Sequence, residues 1–165
     1  MVDATPTAAV RSDPLPDPLP IEPVTTLLDA SIRPPGSKSV TNRALVCAGL
    51  AHGVPDLVCV LEADDPAARV DCLRGLGVVI ASPADSRGDA QPGVAPVPVP
   101  VLRVHGSAGR LPTGGAILDV RLSGTTSRFI APVAALARGT VVIDGAEPMR
   151  RRPMGALLDA LIDLG

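Results

Sequence analysis

Lys38 is the only lysine among fifteen lysine and arginine residues. An ammonium is a compact, strongly hydrated point charge that can approach a phosphate or carboxylate closely and whose pKa shifts readily on desolvation. Lys38 follows the turn Pro34-Pro35-Gly36-Ser37 and precedes Ser39-Val40-Thr41-Asn42-Arg43, which opens a helix. Two more predicted helix starts carry cations: Arg128 behind Ser123-Gly124-Thr125-Thr126-Ser127, and Arg150-Arg151-Arg152 ahead of Pro153. An exposed cation near a helix N-terminus costs a few tenths to about 1 kcal/mol. Three such breaches in one chain mark a functional feature. A bound anion reconciles them, because helix N-termini present free N–H groups to phosphate or carboxylate and Lys or Arg adds charge-assisted hydrogen bonds. Ser39 and Arg43, four residues apart, share a helix face beside Lys38. Gly36 and Gly124 let backbone come close to the ligand.

The remaining polar residues carry weaker signals. Ser37 separates Gly36 from Lys38, so the segment is not a Walker phosphate loop. His52 and His105 lack metal-ligand spacing and read as surface residues, and no metal is expected. Asp64 and Asp65 read as cap and turn residues, with Asp65 capping a helix that Pro66 opens. Arg150 and Arg151 read as a solvated surface run. Arg128 is either an anion contact or a structural clamp. Cys47, Cys59 and Cys72 have no CxxC spacing and are expected to be small buried hydrophobes. No disulfide framework is implied, which fits a reducing cytoplasm.

The elements that must position these residues follow from composition and punctuation. A chain of 165 residues, 46% hydrophobic and 19% charged, has the length of one ordinary domain with a real core. Phe129 is its single aromatic residue, so the core must be Leu, Val, Ile and Ala, and the stacking platforms of single-strand nucleic-acid binders are missing. A net charge of -2 gives no basic footprint for nucleic acid. No apolar run is long enough to span a bilayer, and residues 1–23 lack secretory-signal order, so a cytoplasmic location is expected. Residues 1–23, with six prolines, read as a Pro-rich disordered leader.

The elements predicted are strands over about 25–33, 57–61, 78–81, 101–105, 117–122 and 141–144. Helices are predicted over about 39–51, from Asp65 to Gly75 or Gly77, over about 126–137 (with a kink or later start at Pro132), and from Pro153 onward. Leu45, Ala48 and Leu50 are buried positions of the first helix, Val70 and Leu73 share a face of the second, and Leu157, Leu158, Leu161 and Ile162 point inward from the last. The Pro-, Ala- and Gly-rich stretch over about 82–100 reads as a surface loop insertion. The order turn, helix, glycine, strand, acidic turn, helix, Leu-Gly occurs twice, with Gly53 answering to Gly139 and Gly77 to Gly165. The expected class is α/β (α+β), a duplicated unit of helices backing a sheet. Its second copy breaks off at Gly165.

Taken together, Gly36-Ser37-Lys38-Ser39-Val40-Thr41-Asn42-Arg43-Ala44-Leu45, Ser123-Gly124-Thr125-Thr126-Ser127-Arg128 and Arg152-Pro153 resemble the 3-phosphoshikimate 1-carboxyvinyltransferase (EPSP synthase) family, over about Thr25 to Gly165. The resemblance implies transfer of the enolpyruvyl group of phosphoenolpyruvate to the 5-hydroxyl of shikimate 3-phosphate, with release of phosphate. That is a step of the shikimate pathway toward chorismate and the aromatic amino acids. It implies two domains of repeated β-α-β-α-β-β units with the site in the cleft between them. It assigns Lys38, Ser39 and Arg43 to shikimate 3-phosphate and Lys38, Gly124 and Arg152 to phosphoenolpyruvate. Lys38 is the implied catalytic residue and Arg128 a supporting one. No cofactor is implied; the partners are the two small substrates, without nucleic acid or membrane, and the full-length protein is expected to be a monomer.

By the same resemblance, residues 24–35 form a first strand of the domain completed by a C-terminal part, and 36–165 are a partial enolpyruvyl-transferase domain. The family's acidic proton-transfer residues and further cations lie in that part. The chain therefore reads as an N-terminal fragment, inactive alone. Leu122 stands where many members have Asn, which puts one polar substrate contact in doubt. The alternatives are the sister transferase acting on UDP-N-acetylglucosamine, from which Ser39 and Asn42-Arg43 lead away, and a non-catalytic phosphate-binding fragment.

Overall fold

The computed structural model describes residues 16–21, 23, 25, 27–28, 34–82, 100–111 and 115–165. The chain divides between Arg33 and Pro34, and the fold that positions the site is that of Pro34–Gly165. The predicted leader, the strand over about 25–33 and the loop over about 82–100 lie largely outside the described residues.

Helix α1, Lys38–Leu50, begins where Ser37 turns its hydroxyl back to accept from the Val40 amide. Thr41, Asn42, Leu45, Ala48 and Gly49 are buried along it, the spacing of one helical stripe. Strand β1, Asp56–Val58, leads to α2, Asp64–Gly75, and then to β2, Val79–Ala81. Strand β3, Val101–His105, lies between β1 and β2, antiparallel to both. Arg103 clasps Asp56 across that pairing with two hydrogen bonds of 2.8 and 2.7 Å. Strand β4, Ile117–Asp119, pairs in parallel with β5, Val142–Asp144, through the crossover helix α3, Gly124–Ala134. A short helix α4, Glu147–Arg150, and a last helix α5, Gly155–Asp163, complete the described chain.

The core sits where α2 packs on α1, α3 and β4. Leu45, Leu73, Leu76, Val104, Leu118 and Ile130 are all essentially inaccessible there, an aliphatic core as the single aromatic residue requires. The order α1-β1-α2 recurs as α3-β5-α5, with the short α4 inserted before α5, which is the duplicated arrangement read from the paired glycines. Gly53, Gly77 and Gly139 all take positive φ near 90°, a conformation with little cost for glycine alone.

Several expectations need correction. α3 starts at Gly124 rather than Thr126, because Ser123 caps it by accepting from the Thr126 amide at 3.1 Å; the run of small polar residues is its first turn. The strand predicted over 57–61 is Asp56–Val58, since Cys59 takes φ 60° and ends it. The strand over 117–122 stops at Asp119, whose side chain turns back onto the Arg121 amide. Asp65 does not cap α2; Ala63 holds the cap position and Pro66 lies inside the first turn. Cys72 is buried, and burial pushes its thiol up to about 11, but Cys47 and Cys59 are exposed. The last helix begins at Gly155, and no residue of α5 is buried; Leu158 and Ile162 are 48% and 75% exposed. Those two positions are apolar without an inward partner among the described residues.

Candidate active site

Three helix starts meet through side chains whose types were visible in the sequence. Lys38, the first residue of α1, forms an ion pair with Asp65 in the first turn of α2. The Thr126 hydroxyl, in the first turn of α3, donates to the Asp65 carbonyl at 3.0 Å, and Ser123 donates to Thr126 Oγ1 at 2.8 Å. The Lys38 hydrogen bond holds the Asp65 carboxyl below the usual carboxylate range against desolvation, with help from the Ser123 hydroxyl. At the opposite side of the α1 opening, Thr41 Oγ1 accepts from the Leu61 amide at 3.0 Å, fixing the α1 start against the segment after β1. Gly36 is dictated there by space: a Cβ would overlap the Cys59 carbonyl oxygen and press on the Leu61 amide.

The sign of the Asp65 shift fixes a pH dependence. A carboxyl with a folded pKa below its unfolded value near 4 stabilises fully above that value, and the contribution is lost as pH falls through the folded one. Asp65→Asn is therefore expected to be less stable than the wild type at pH 6, with the difference shrinking by pH 3. Urea midpoints at the two pH values check this; a constant difference would contradict it. Asp56 and Asp144, the latter held down to about 2 by Arg150 and the Gly145 amide, keep their own acid sensitivity in both proteins.

Beside the ion pair lies a cavity of about 350 Å³ lined by Ser37, Lys38, Ser39, Asn42, Arg43, Thr125 and Phe129. The structure thus brings Lys38, Ser39 and Arg43 together, as expected. Arg43 Nη1 donates to Ser39 Oγ at 2.9 Å and to the Ser39 carbonyl at 3.1 Å, so the shared helix face is a bonded pair. The Arg43 guanidinium lies 5.9 Å from the Phe129 ring centroid, a cation–π contact. The cavity walls offer two cations, two serine hydroxyls, an amide and a threonine, groups suited to a small anion bearing hydroxyls.

A second cluster adjoins the first through Thr125. The Arg152 guanidinium lies where a Cβ on Gly124 would be, and Arg128 Nη1 is close to the same point. Arg128 donates to the Gly124 carbonyl at 3.3 Å and the Pro153 carbonyl at 3.2 Å, tying α3 to the turn before α5. Both carbonyls lie in the second copy of the duplicated unit, so these bonds do not clamp one copy to the other. Gly124, Arg128 and Arg152 are therefore together, beside the Lys38 cavity rather than lining it. Leu122 is 56% exposed.

The electrostatic premise behind these residues also needs correction. Among the described residues, Lys38 is the one cation of this set that occupies the start of a helix. Arg43 and Arg128 lie beyond the first turns of α1 and α3, and Arg150 lies in the last turn of α4, where the dipole favours cations. Arg150 pairs with Asp144 and Arg151 with Glu147, so both are engaged on the surface. Asp65, Asn42, Thr125 and Phe129 were not expected in the site. No local spacing marks Asp65 as the partner of Lys38, because the contact depends on α1 packing against α2. His52 and His105 are exposed, and among the described residues no group of three His, Cys, Asp or Glu gathers as a metal site. No helix among the described residues is long and apolar enough to cross a membrane.

Comparison with known proteins gives a consistent picture. The family model for EPSP synthase (3-phosphoshikimate 1-carboxyvinyltransferase) matches residues 23–165. The 3-phosphoshikimate 1-carboxyvinyltransferase of Rhizobium etli is 43% identical over 138 residues, covering 84% of this chain and 29% of its own length. That of Pseudomonas syringae pv. tomato is 37% identical over 147 residues, covering 89% and 32%. Among solved structures, EPSP synthase from Acinetobacter baumannii superposes with a TM-score of 0.63 at 25% identity, covering 78% of this chain and 26% of that one. The chain spans less than a third of the length of the curated relatives it matches.

Proposed function

Because the chain belongs to the EPSP synthase family, we propose that it supplies the shikimate 3-phosphate half of a 3-phosphoshikimate 1-carboxyvinyltransferase site. The observation that carries this reading is the cavity that gathers Lys38, Ser39 and Arg43. Lys38 and Arg43 would neutralise the phosphate, with the Ser39 hydroxyl, already bonded to Arg43, donating to it. Gly124 and Arg152 would receive phosphoenolpyruvate beside it, and Lys38 would reach both substrates. The enolpyruvyl group would pass to the 5-hydroxyl through addition and then elimination of phosphate. Preorganised cations that face the charge of the tetrahedral intermediate are the expected source of rate.

In this reading residues 24–35 are a first strand of the domain completed by a C-terminal part, 36–165 a partial enolpyruvyl-transferase domain and 1–23 a leader. The full protein acts as a cytoplasmic monomer in aromatic amino acid biosynthesis, and the 165 residues alone turn nothing over. The test is a chimera joining residues 1–165 to the remaining portion of the Rhizobium etli relative. It is expected to release phosphate from phosphoenolpyruvate with shikimate 3-phosphate, and not with UDP-N-acetylglucosamine. Turnover of the latter alone, or phosphate release by the 165-residue chain by itself, would refute the reading.

A further inference from the structure

Among the described residues, Arg69 is the largest side chain that the fold encloses completely. No carboxylate forms an ion pair with it among the described residues. Its Nη1 donates to the Asn42 carbonyl at 3.1 Å, while Nε and Nη2 are buried without a protein hydrogen-bond partner there. Its guanidinium lies 4.8 Å from the centroid of the Phe129 ring. Burial lowers its pKa to about 10, which still leaves it charged at neutral pH. A charge enclosed with so little compensation opposes folding, and a methionine would fill the space without that cost.

What the arginine does is visible in its three neighbours, because each ends in the site. Asn42, whose carbonyl it holds, lines the cavity, and so does Phe129, whose ring it stacks upon. Arg43 lies against the same ring. Asp65, one helical turn before Arg69 on α2, feels its charge and is the carboxylate that holds Lys38. Arg69 itself does not line the cavity.

We propose that Arg69 is a positioning residue, which fixes the Phe129 ring and the first turns of α1 so that Arg43 and Lys38 are held at a set separation for the phosphate. The ring is shared between two guanidiniums, so loss of the inner one frees it to turn and removes the platform under the outer one. The inference rests on the cavity being the shikimate 3-phosphate site, and its test separates the two.

The test compares the wild-type chain with Arg69→Met and Phe129→Leu, each checked for cooperative urea unfolding. The first readout needs no substrate: the Arg43 side-chain N–H resonances, displaced in the wild type by the Phe129 ring current, are expected to shift in Arg69→Met. The second is calorimetric titration with shikimate 3-phosphate, where either substitution is expected to weaken binding about fivefold, the scale of a cation–π contact made by an exposed arginine such as Arg43. Arg69→Met combined with Phe129→Leu should weaken binding little more than either alone, since both act through one ring. Arg69→Met is expected to unfold no more easily than the wild type, as removal of a buried charge allows. Arg43 resonances unchanged in folded Arg69→Met would overturn the positioning role. Should Arg69→Met fail to fold, wild-type affinity in Phe129→Leu would overturn it instead. A wild-type chain that binds no shikimate 3-phosphate would refute the site reading, and the Arg43 resonances would still decide the positioning role.

Discussion

Lys38→Arg, placed in the chimera with the Rhizobium etli remainder, is expected to lower turnover by about 100-fold or more, the scale of losing one preorganised group that faces transition-state charge. The substitution keeps the charge and changes its shape. Lys38 is the first residue of α1, half exposed, and already committed on one side to Asp65. Arginine at this position can satisfy the carboxylate at least as well, because its planar fork matches a carboxylate with two hydrogen bonds. Stability should therefore change little. A guanidinium drawn into that pairing is larger and directional, and it cannot serve as a point charge between two anions at the helix mouth. The expected signature is an unchanged urea midpoint with turnover nearly lost. Near-normal turnover would show that any cation at this position suffices.

Gly124→Ala is expected to act on the other substrate. The added Cβ would meet the Arg152 guanidinium and lie 3.1 Å from Arg128 Nη1. Both obstacles are ends of flexible side chains, so the fold can accommodate the methyl, but Arg152 must leave its place against the helix start. An anion held by Arg152 and the Gly124 backbone would lose a charge-assisted hydrogen bond, typically about 1.5–3 kcal/mol. The KM for phosphoenolpyruvate in the chimera is expected to rise about 10- to 100-fold, with the KM for shikimate 3-phosphate little changed because Lys38, Ser39 and Arg43 line a separate cavity. Steady-state kinetics with each substrate varied in turn checks this. An equal rise for both substrates, or none for phosphoenolpyruvate, would contradict the division of the site into two clusters.

The contrast between those clusters explains what could and could not be read from the residues alone. Lys38, Ser39 and Arg43 were legible because they stand on one helix, where spacing fixes which side chains share a face. The pairing of Gly124 with Arg152 was legible through family resemblance, while its physical basis, a guanidinium occupying the space a Cβ would take, is a tertiary fact. The sequence reads Asp65 as a cap because acidic residues ahead of a proline commonly serve that way. Its carboxylate instead reaches Lys38, since α1 and α2 pack side by side. Arg69 gave no sign, because its burial depends on three helices closing around it. The helix boundaries failed for a local reason: the small polar residues after Ser123 suit a turn and a capped first turn equally well. The inward face assigned to α5 failed because apolar spacing identifies a face but not what covers it.

The central claim is that the cavity between α1 and α3 recognises shikimate 3-phosphate through its phosphate. Titration of the isotopically labelled 165-residue chain with shikimate 3-phosphate, using shikimate as the control, tests it most directly by amide chemical-shift mapping. Saturable shifts are expected at Ser37 to Arg43 and at Thr125 to Phe129, strongly weakened by Lys38→Met and absent with shikimate at the same concentration. Equal shifts with shikimate, shifts confined to other residues, or none at saturating ligand would contradict it.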